Sequence, residues 1–561
     1  MTATEAASPL HTRAAQLDRL KTEKFDLVVI GGGITGAGIA RDAALRGFKT
    51  ALVERMDFAG GTSGKSARLV HGGLRYVETL EFRVVMEACA ERQTLDAIAP
   101  HLIAPMPITL PIYHNRSRYA RVRLGMFVYD ALGLYRNIHS HERLSAEELA
   151  RAEPAVSQTD WVGAVRYYER RADDARLTLT TIQSAIRHGA LALNYAEAQG
   201  LLKLQGQAAG IVVRDQISGA TLEVRASHVV NASGVWNDAV KSLDEAGLAR
   251  SVRPNKGIHV IVPRPRLPLR AAVDFPAVGP KRTMYAVPWR ETCLLGTTDD
   301  DYSGDLDEVH ALSEEVAWIL ASANQTFAGA NLSSVDVLSS YAGLRPLVHS
   351  GSQAAYRAPR EHHVTVSKSG LISIAGGKLT THRAMAKDVV DRVAVRLHRR
   401  APCRTDGVPL DAQAATPEAM AALVAGLESL SGAAQPDCVQ HLVSTYGSDS
   451  WQVLRLTAEQ PELKRPIVEG LPYQYAEIAH AVMHEMASTL CDVMVRRLRL
   501  IHEAPQQGLR QAADVAAFMA PYLGWSPQDQ AAQVAAYREQ VALTRKFDTV
   551  SEQPGERFGR A

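Results

Sequence analysis

Four residues near the start of the chain have the types and spacing of a nucleotide site. Gly31, Gly33 and Gly36 stand as G-x-G-x-x-G, and Glu54 follows 18 positions after the last of them. In such a turn the first glycine takes the tight bend out of a strand. The second lets a pyrophosphate come against the backbone, and the third lets the next helix pack closely on the sheet. The N-terminus of that helix offers free N–H groups and a partial positive charge to the diphosphate, and the Glu54 carboxylate can accept both hydroxyls of an adenosine ribose. A plain strand-to-helix turn would leave Glu54 unexplained. The loop Asp57-Phe-Ala-Gly-Gly-Thr-Ser63-Gly-Lys-Ser66 comes next. It is too rich in Gly and Ser for regular structure, and Thr62, Ser63 and Ser66 suit phosphates or a flavin edge better than a solvated linker. His480 and His484 lie at i,i+4 and could share a metal. No third ligand stands out, and His-Glu-Met-Ala-Ser lacks the second histidine of a zincin, so no metal site is expected.

The elements that must position these groups follow from periodicity and turn residues. Strands are expected over 27–30 and 49–54 around a helix over 39–45. A helix from about 77 to 98 precedes turns and a strand over 100–111. Arg116, Arg118, Arg121 and Arg123 come before an apolar, aromatic helix over 124–135. Asp173 suits an N-cap for a helix running to about 188. Strands over 210–214, 220–224 and 229–231 lead to a turn at Gly234. His259 falls on an alternating strand over 257–262, an antiparallel pair spans 284–289 and 292–298, and a helix spans 313–327. Tyr341-Ala-Gly-Leu-Arg-Pro346 reads as a turn. A buried strand over 371–375 then meets Gly376-Gly377 and a helix that starts near Thr380. From Pro417 onward the pattern is nearly all helical.

With 561 residues the chain exceeds what one core organises, so two or three domains are expected. A composition 46% hydrophobic and 22% charged is that of a globular protein. The net charge of +2 gives no global reason to bind nucleic acid. Five scattered cysteines without a C-x-x-C pair suit a reducing compartment. No apolar run approaches the ~20 residues that span a bilayer, and residues 1–24 read as a flexible tail rather than a secretory signal.

Three strand-to-turn units, at Gly31, Gly234 and Gly376, exceed the needs of a nicotinamide half-site and imply FAD. Together with His71-Gly-Gly-Leu-Arg-Tyr76, Gly296-Thr-Thr-Asp299, Gly343-Leu-Arg-Pro346 and Gly376-Gly-Lys-Leu-Thr380, their order resembles the FAD-dependent glycerol-3-phosphate dehydrogenases. The likeness is dense over 25–395 and weaker in the helical end, where Cys491-Asp-Val-Met-Val-Arg-Arg497 is similar to a helix of that family's terminal domain. The expected fold is therefore α/β. A Rossmann-like FAD-binding domain (25–100, 171–253 and 343–395) interleaves with a mixed β-sheet substrate domain (101–170 and 254–342), and an α-helical C-terminal domain covers 400–545.

The resemblance implies oxidation of sn-glycerol 3-phosphate to dihydroxyacetone phosphate, with hydride passing from C2 to flavin N5 and electrons to a membrane quinone. It places Arg75 and Arg345 at the phosphate, with Tyr76, because guanidinium groups bind a phosphate dianion bidentately. His259 and Lys378 come near the reacting hydroxyl, where a base with a pKa near neutrality is wanted. Gly376, Gly377 and Thr380 would face the flavin pyrimidine ring, with His71 as a flavin neighbour. The alternative is glycerol-3-phosphate oxidase, which returns electrons to oxygen. That family tends to carry an extra segment between its Gly-Leu-Arg-Pro and Gly-Gly-Lys motifs, and the short run from Arg345 to Lys378 favours the dehydrogenase. A flavin-binding sensor without turnover has no need of such charged groups. A quinone acceptor requires contact with the bilayer, so a cytoplasmic protein peripheral on the inner face of the cytoplasmic membrane is expected. The four arginines and the run around Met126, Phe127, Val128 and Leu132 would meet its anionic surface; the competing reading packs Phe127 in the core. A homodimer is compatible with the sequence.

Overall fold

The computed structural model describes residues 13–78, 80–114, 116–133, 139–279, 282–349, 361–411, 416–431 and 436–548. Helix α1 (Arg13–Thr22) leads into strand β1 (Lys24–Ile30), helix α2 (Ile34–Leu45) and strand β2 (Thr50–Val53). Leu27, Val28 and Val29 have no exposed surface, and all of β2 is buried. Such unbroken apolar runs belong to parallel strands covered on both faces. The chain then crosses to a second sheet through β3 (Leu69–Val70), α3 (Phe82–Ile98), β4 (Ala104–Tyr113), α4 (Arg116–Leu132) and β5 (Trp161–Arg171). It returns as α5 (Asp174–Arg187), β6 (Leu191–Leu193) and β7 (Thr221–Asn231), and Asp173 caps α5 by accepting the Arg176 N–H at 3.0 Å. The second sheet is completed by β8 (Val252–Pro263), β9 (Ala272–Pro276), β10 (Thr283–Trp289), β11 (Thr292–Gly296) and β12 (Ser339–Val348). The first sheet closes with β13 (His363–Val366) and β14 (Ile372–Ala375), followed by α6 (His382–Arg396).

Among the described residues the first sheet has the order β13–β14–β7–β1–β2–β6, with an antiparallel hairpin, Ala196–Leu204 and Gln207–Asp215, added to β7. β1 is parallel to both neighbours, and Ile30 stands level with Val53 and Asn231. Helices α2, α5 and α6 cover one face through a core that includes Ala40, Ile182 and Val389. The C-terminal helices, from Pro417–Ser431 to Pro527–Thr544, have their own core around Leu427, Leu442, Ile478 and Val515.

The structure corrects several expectations. Residues 13–22 are helical, not part of a flexible tail: Leu20 is fully buried, and Arg13 reaches Asn194 O at 2.7 Å and pairs with Asp215. Those partners lie far along the chain, so the tail's polar sequence conceals them. β12 belongs to the second sheet, paired with β8 from Val252–Val348 to Ile261–Ser339, so domain boundaries at 253 and 343 would cut this pair. Arg345 therefore lies in a strand, not a turn. Gly343 serves close approach instead, since a Cβ there would lie 2.7 Å from Lys65 O. Arg116 to Arg123 do not precede the aromatic helix but form its first half, as α4. The helix expected from about 77 is a single turn, Arg75–Glu78, followed by α3.

Candidate active site

The turns after β1, β2, β7 and β14 converge on one cleft of about 640 Å³. Gly31, Gly33, Glu54, Gly234 and Gly376 all line it. This is the crevice beyond the carboxyl ends of an open α/β sheet, where ligands bind. Gly31 has φ +117°, and a Cβ there would lie 2.5 Å from Ala232 O; a Cβ on Gly36 would lie 1.9 Å from Gly31 O. Packing thus demands both glycines. Gly33, the N-cap residue of α2, has no side chain to offer, and Ser63 supplies the cap by accepting the Ile34 N–H at 2.9 Å.

Glu54 is oriented by backbone: its oxygens accept N–H groups of Gly32 at 2.6 Å and Met56 at 2.8 Å. Each oxygen keeps a second lone pair for a ribose hydroxyl. Burial raises its pKa, and the two amides oppose that shift. Thr62 ties the rim to β12 by donating to Leu344 O at 2.5 Å. Ser66 is engaged elsewhere: its hydroxyl accepts the Arg68 N–H at 3.1 Å and its own N–H reaches Asp174 at 2.7 Å. In the sheet order, Glu54 after β2 and Gly376 after β14 lie on opposite sides of the α2 N-terminus. An acid, a helix N-terminus and a glycine turn (φ +79° and +83° at Gly376 and Gly377) in that sequence fit a flavin dinucleotide.

The other predicted residues form two groups. On the second sheet His259 stands opposite Tyr341, and Asn255 opposite Arg345. His259 is 4% exposed and stacks on Tyr341 at 4.9 Å, and neither ring nitrogen has a hydrogen-bond partner. Burial, then Arg345 and Arg68, lower its pKa to about 3. That corrects the expectation of a value near neutrality, and the imidazole is neutral. Arg345 is aimed by Asn255 Oδ1 at 2.6 Å and by Thr297 Oγ1 and Thr298 O, each at 3.2 Å. Gly257 makes room for it, since a Cβ there would lie 2.4 Å from Arg345 Nη2.

In the second group the Lys378 ammonium sits 3.7 Å from the Tyr76 ring centroid, a cation–π contact. Thr380 accepts the His71 N–H at 3.2 Å and donates to His71 O at 3.3 Å, which ties the His71–Tyr76 stretch to the turn after β14. Arg75 opens its helical turn, but its side chain lies outside the described residues. Of the two groups, Lys378 lines the cleft and so does Pro346, the chain neighbour of Arg345, whereas His259 and Arg345 themselves do not. His480 and His484 lie together away from the cleft, rings 5.0 Å apart, with Tyr446 at 5.1 Å. No group of three metal-binding side chains is found among the described residues.

Sequence reasoning missed how the C-terminal domain is joined to this site. Arg497 donates to Asp57 at 2.7 and 3.0 Å, Arg496 also pairs with Asp57, and Arg499 reaches Asp173 at 2.7 Å and pairs with Asp174. Burial works against the Asp57 carboxylate, but Arg497 and Arg496 outweigh it and hold its carboxyl below the usual range. Asp57 opens the loop that carries Thr62 and Ser63. The signal was present, since Arg496 and Arg497 close one recognised stretch and Asp57 opens another, but nothing local pairs residues 440 positions apart.

Residues 26–383 match the family of FAD dependent oxidoreductases, and 403–530 match the C-terminal domain of alpha-glycerophosphate oxidase. The chain is 39% identical to glycerol-3-phosphate dehydrogenase of Mycobacterium leprae, covering 94% of this chain and 90% of that one. It is 34% identical to the human mitochondrial glycerol-3-phosphate dehydrogenase, over 96% of this chain and 75% of the relative. A solved glycerol-3-phosphate dehydrogenase from Bacillus halodurans, complexed with FAD, matches with a TM-score of 0.80 and 30% identity, covering 99% of this chain and 100% of that one. Fold and cleft together define an FAD-dependent oxidoreductase. Within that class the chain belongs to the glycerol-3-phosphate dehydrogenase family.

Proposed function

We propose that the enzyme oxidises sn-glycerol 3-phosphate to dihydroxyacetone phosphate and passes the electrons to a membrane quinone. FAD, when bound, supplies the acceptor for the C2 hydride. The chain's own residues bind the phosphate, aim the C2 carbon and take the hydroxyl proton. Arg345 presents a guanidinium whose direction Asn255 and Thr297 fix, which suits a phosphate oxygen; Arg75 would be its partner. His259, neutral and with no nitrogen committed, takes the proton of the C2 hydroxyl. A positioned base contributes ~10²–10⁴ in rate when its pKa lies near the operating pH, so the role requires the bound phosphate dianion to offset Arg345 and raise the His259 value. The Lys378 ammonium, held over Tyr76, keeps positive charge next to the glycine turn at the cleft. The observation that supports the reading most is this buried, unpartnered imidazole acted on by the Arg345 guanidinium, whose chain neighbour Pro346 lines the cleft that fits FAD.

Access to a lipid-borne quinone is supported by an apolar surface near the site. Leu124 and Phe127 of α4 are 65% and 57% exposed. They share a helix face with Arg116, which is itself exposed. The reading that packs Phe127 in the core is thereby corrected, although Met126 and Tyr129 are buried. Helix α3 packs on α4, and Leu80, Phe82 and Met86 near its start are also exposed. This surface begins four residues after Tyr76. Among the described residues no helix is long and apolar enough to cross a membrane.

The test is anaerobic mixing of the yellow protein with glycerol 3-phosphate, then addition of a quinone analogue or oxygen. Bleaching by the substrate and rapid return of colour with the quinone analogue are expected. Faster reoxidation by oxygen would favour the oxidase, and a colourless protein that binds NAD would overturn the FAD reading.

A further inference from the structure

A histidine that acts as a base needs a free lone pair and a fixed ring. Orientation usually comes from a hydrogen bond to the ring nitrogen that does no chemistry. His259 has no such bond, because both of its nitrogens are buried without a partner. The ring is confined all the same. Tyr341 stacks on it at 4.9 Å with 27° between the planes, and a Cβ on Gly296 would lie 2.6 Å from its Cδ2. Tyr341 is in turn held three ways. Its backbone pairs opposite His259, and its hydroxyl donates to Ser66 O at 2.7 Å. The third hold is the ring of His502, at 5.3 Å. His502 lies in the helix Leu500–Glu503 of the C-terminal domain and is anchored 3.0 Å from Ser339 Oγ on β12.

We infer that Tyr341 is a positioning residue that fixes the His259 imidazole by ring stacking, with His502 of the C-terminal domain backing it. This rests on the reading of His259 as the base. Stacking takes the place of the missing hydrogen bond and leaves the one lone pair of the neutral ring uncommitted. It also gives the helical C-terminal domain a part in the chemistry without contact with substrate.

The experiment compares FAD-loaded Tyr341→Leu, Tyr341→Phe, His502→Leu and His259→Asn proteins. The rate of anaerobic flavin reduction by glycerol 3-phosphate is measured, and substrate affinity is measured separately by calorimetry. A ring displaced by an ångström costs about a hundredfold in rate. Tyr341→Leu should show a fall of that order with affinity kept within about twofold, and Tyr341→Phe, which restores the ring, should recover most of it. His502→Leu should give a smaller fall of about fivefold with the same unchanged affinity. Reduction by Tyr341→Leu at the parent rate would overturn the inference, as would a Phe variant no better than the Leu variant. If Tyr341→Leu does not fold, His502→Leu decides, and a parent-like rate there overturns the inference. Parent-like reduction by His259→Asn would instead bring down the base reading itself, and the inference with it.

Discussion

Burial and two guanidiniums, those of Arg345 and Arg68, act on His259 with the same sign, and all three favour the neutral ring. A base works only when deprotonated, so its activity rises with pH through its pKa. In the free enzyme that pKa is about 3, and kcat/KM, which reports the free enzyme, should show no His259 limb across the neutral range. A bound phosphate dianion offsets Arg345 and raises the value, so any such limb belongs to the kcat profile. His259→Asn should lower kcat by about a hundredfold or more, with little change in KM, and abolish that limb. A pH profile identical to the parent's would move the base to Lys378, His71 or water. Arg345→Ala loses a charge-assisted contact of roughly 1.5–3 kcal/mol, so KM for glycerol 3-phosphate should rise about tenfold or more. Glycerol, having no phosphate, should be a poor substrate for parent and variant alike; equal turnover of both compounds by the parent would refute the phosphate clamp. At this scale Gly31, Gly33, Glu54, Gly234 and Gly376, which line the cleft, were legible, because glycine turns after apolar runs and an acid after a strand are local signals. The setting of Arg345 was not. Its glycine and proline imitate a turn, while the strand it occupies is defined by pairing with β8, some 90 positions away.

The strand-turn-helix unit from β1 to β2 carried its own signal, because an apolar run, three glycines and an acid are all local. The loop from Asp57 to Ser66 had no local signal beyond its composition, and its shape comes from distant elements. Arg496 and Arg497 grip one end, Leu344 of β12 takes the Thr62 hydroxyl, and Ser63 caps α2. The buried carboxylate of Asp57 is therefore one link between the C-terminal domain and this loop, and Arg499, which donates to Gly64 O at 3.2 Å, is another. Breaking a buried pair by removing one partner costs about 3–5 kcal/mol. Arg496 retains Asp492 at 2.6 Å and Arg497 retains Glu485 O at 2.8 Å, so Asp57→Asn belongs near the lower figure. The variant should melt at lower temperature and retain less FAD after gel filtration, as read from the ratio of flavin to protein absorbance. Equal flavin content and melting temperature would mean that Thr62, Ser63 and the Arg499–Gly64 contact hold the loop without Asp57. Because the Asp57 pKa is depressed, its stabilising pairs persist above the ordinary carboxylate pKa and fail only as pH falls through the lowered value. The difference between parent and variant should thus be constant from about pH 5 upward and shrink in strong acid.

The cleft opens beyond the strand ends of the first sheet, and the whole molecule must also reach its electron acceptor. A net charge of +2 spread over 561 residues gives little long-range attraction to a membrane, so any binding must come from a local surface. Composition could not locate that surface, because a helix face that is arginine and apolar by turns reads equally well as core. The exposure of Leu124 and Phe127, beside Leu80, Phe82 and Met86, removes the core reading for Phe127. Each Arg near an anionic leaflet is worth about 1 kcal/mol, and fully burying a Leu, Met or Phe side chain contributes roughly 1.5–3 kcal/mol. Binding to anionic liposomes should therefore weaken with salt but not vanish, and full release should need detergent. Arg116→Gln, Arg118→Gln, Arg121→Gln and Arg123→Gln combined should remove the salt-sensitive part, and Leu124→Ser with Phe127→Ser the remainder. Oxidation of glycerol 3-phosphate with a soluble dye should persist in both variants, while electron transfer to quinone embedded in the liposomes falls in step with binding. If both variants sediment with liposomes as the parent does, α4 is excluded as the contact, and the same measurement then passes to the exposed faces of the C-terminal helices.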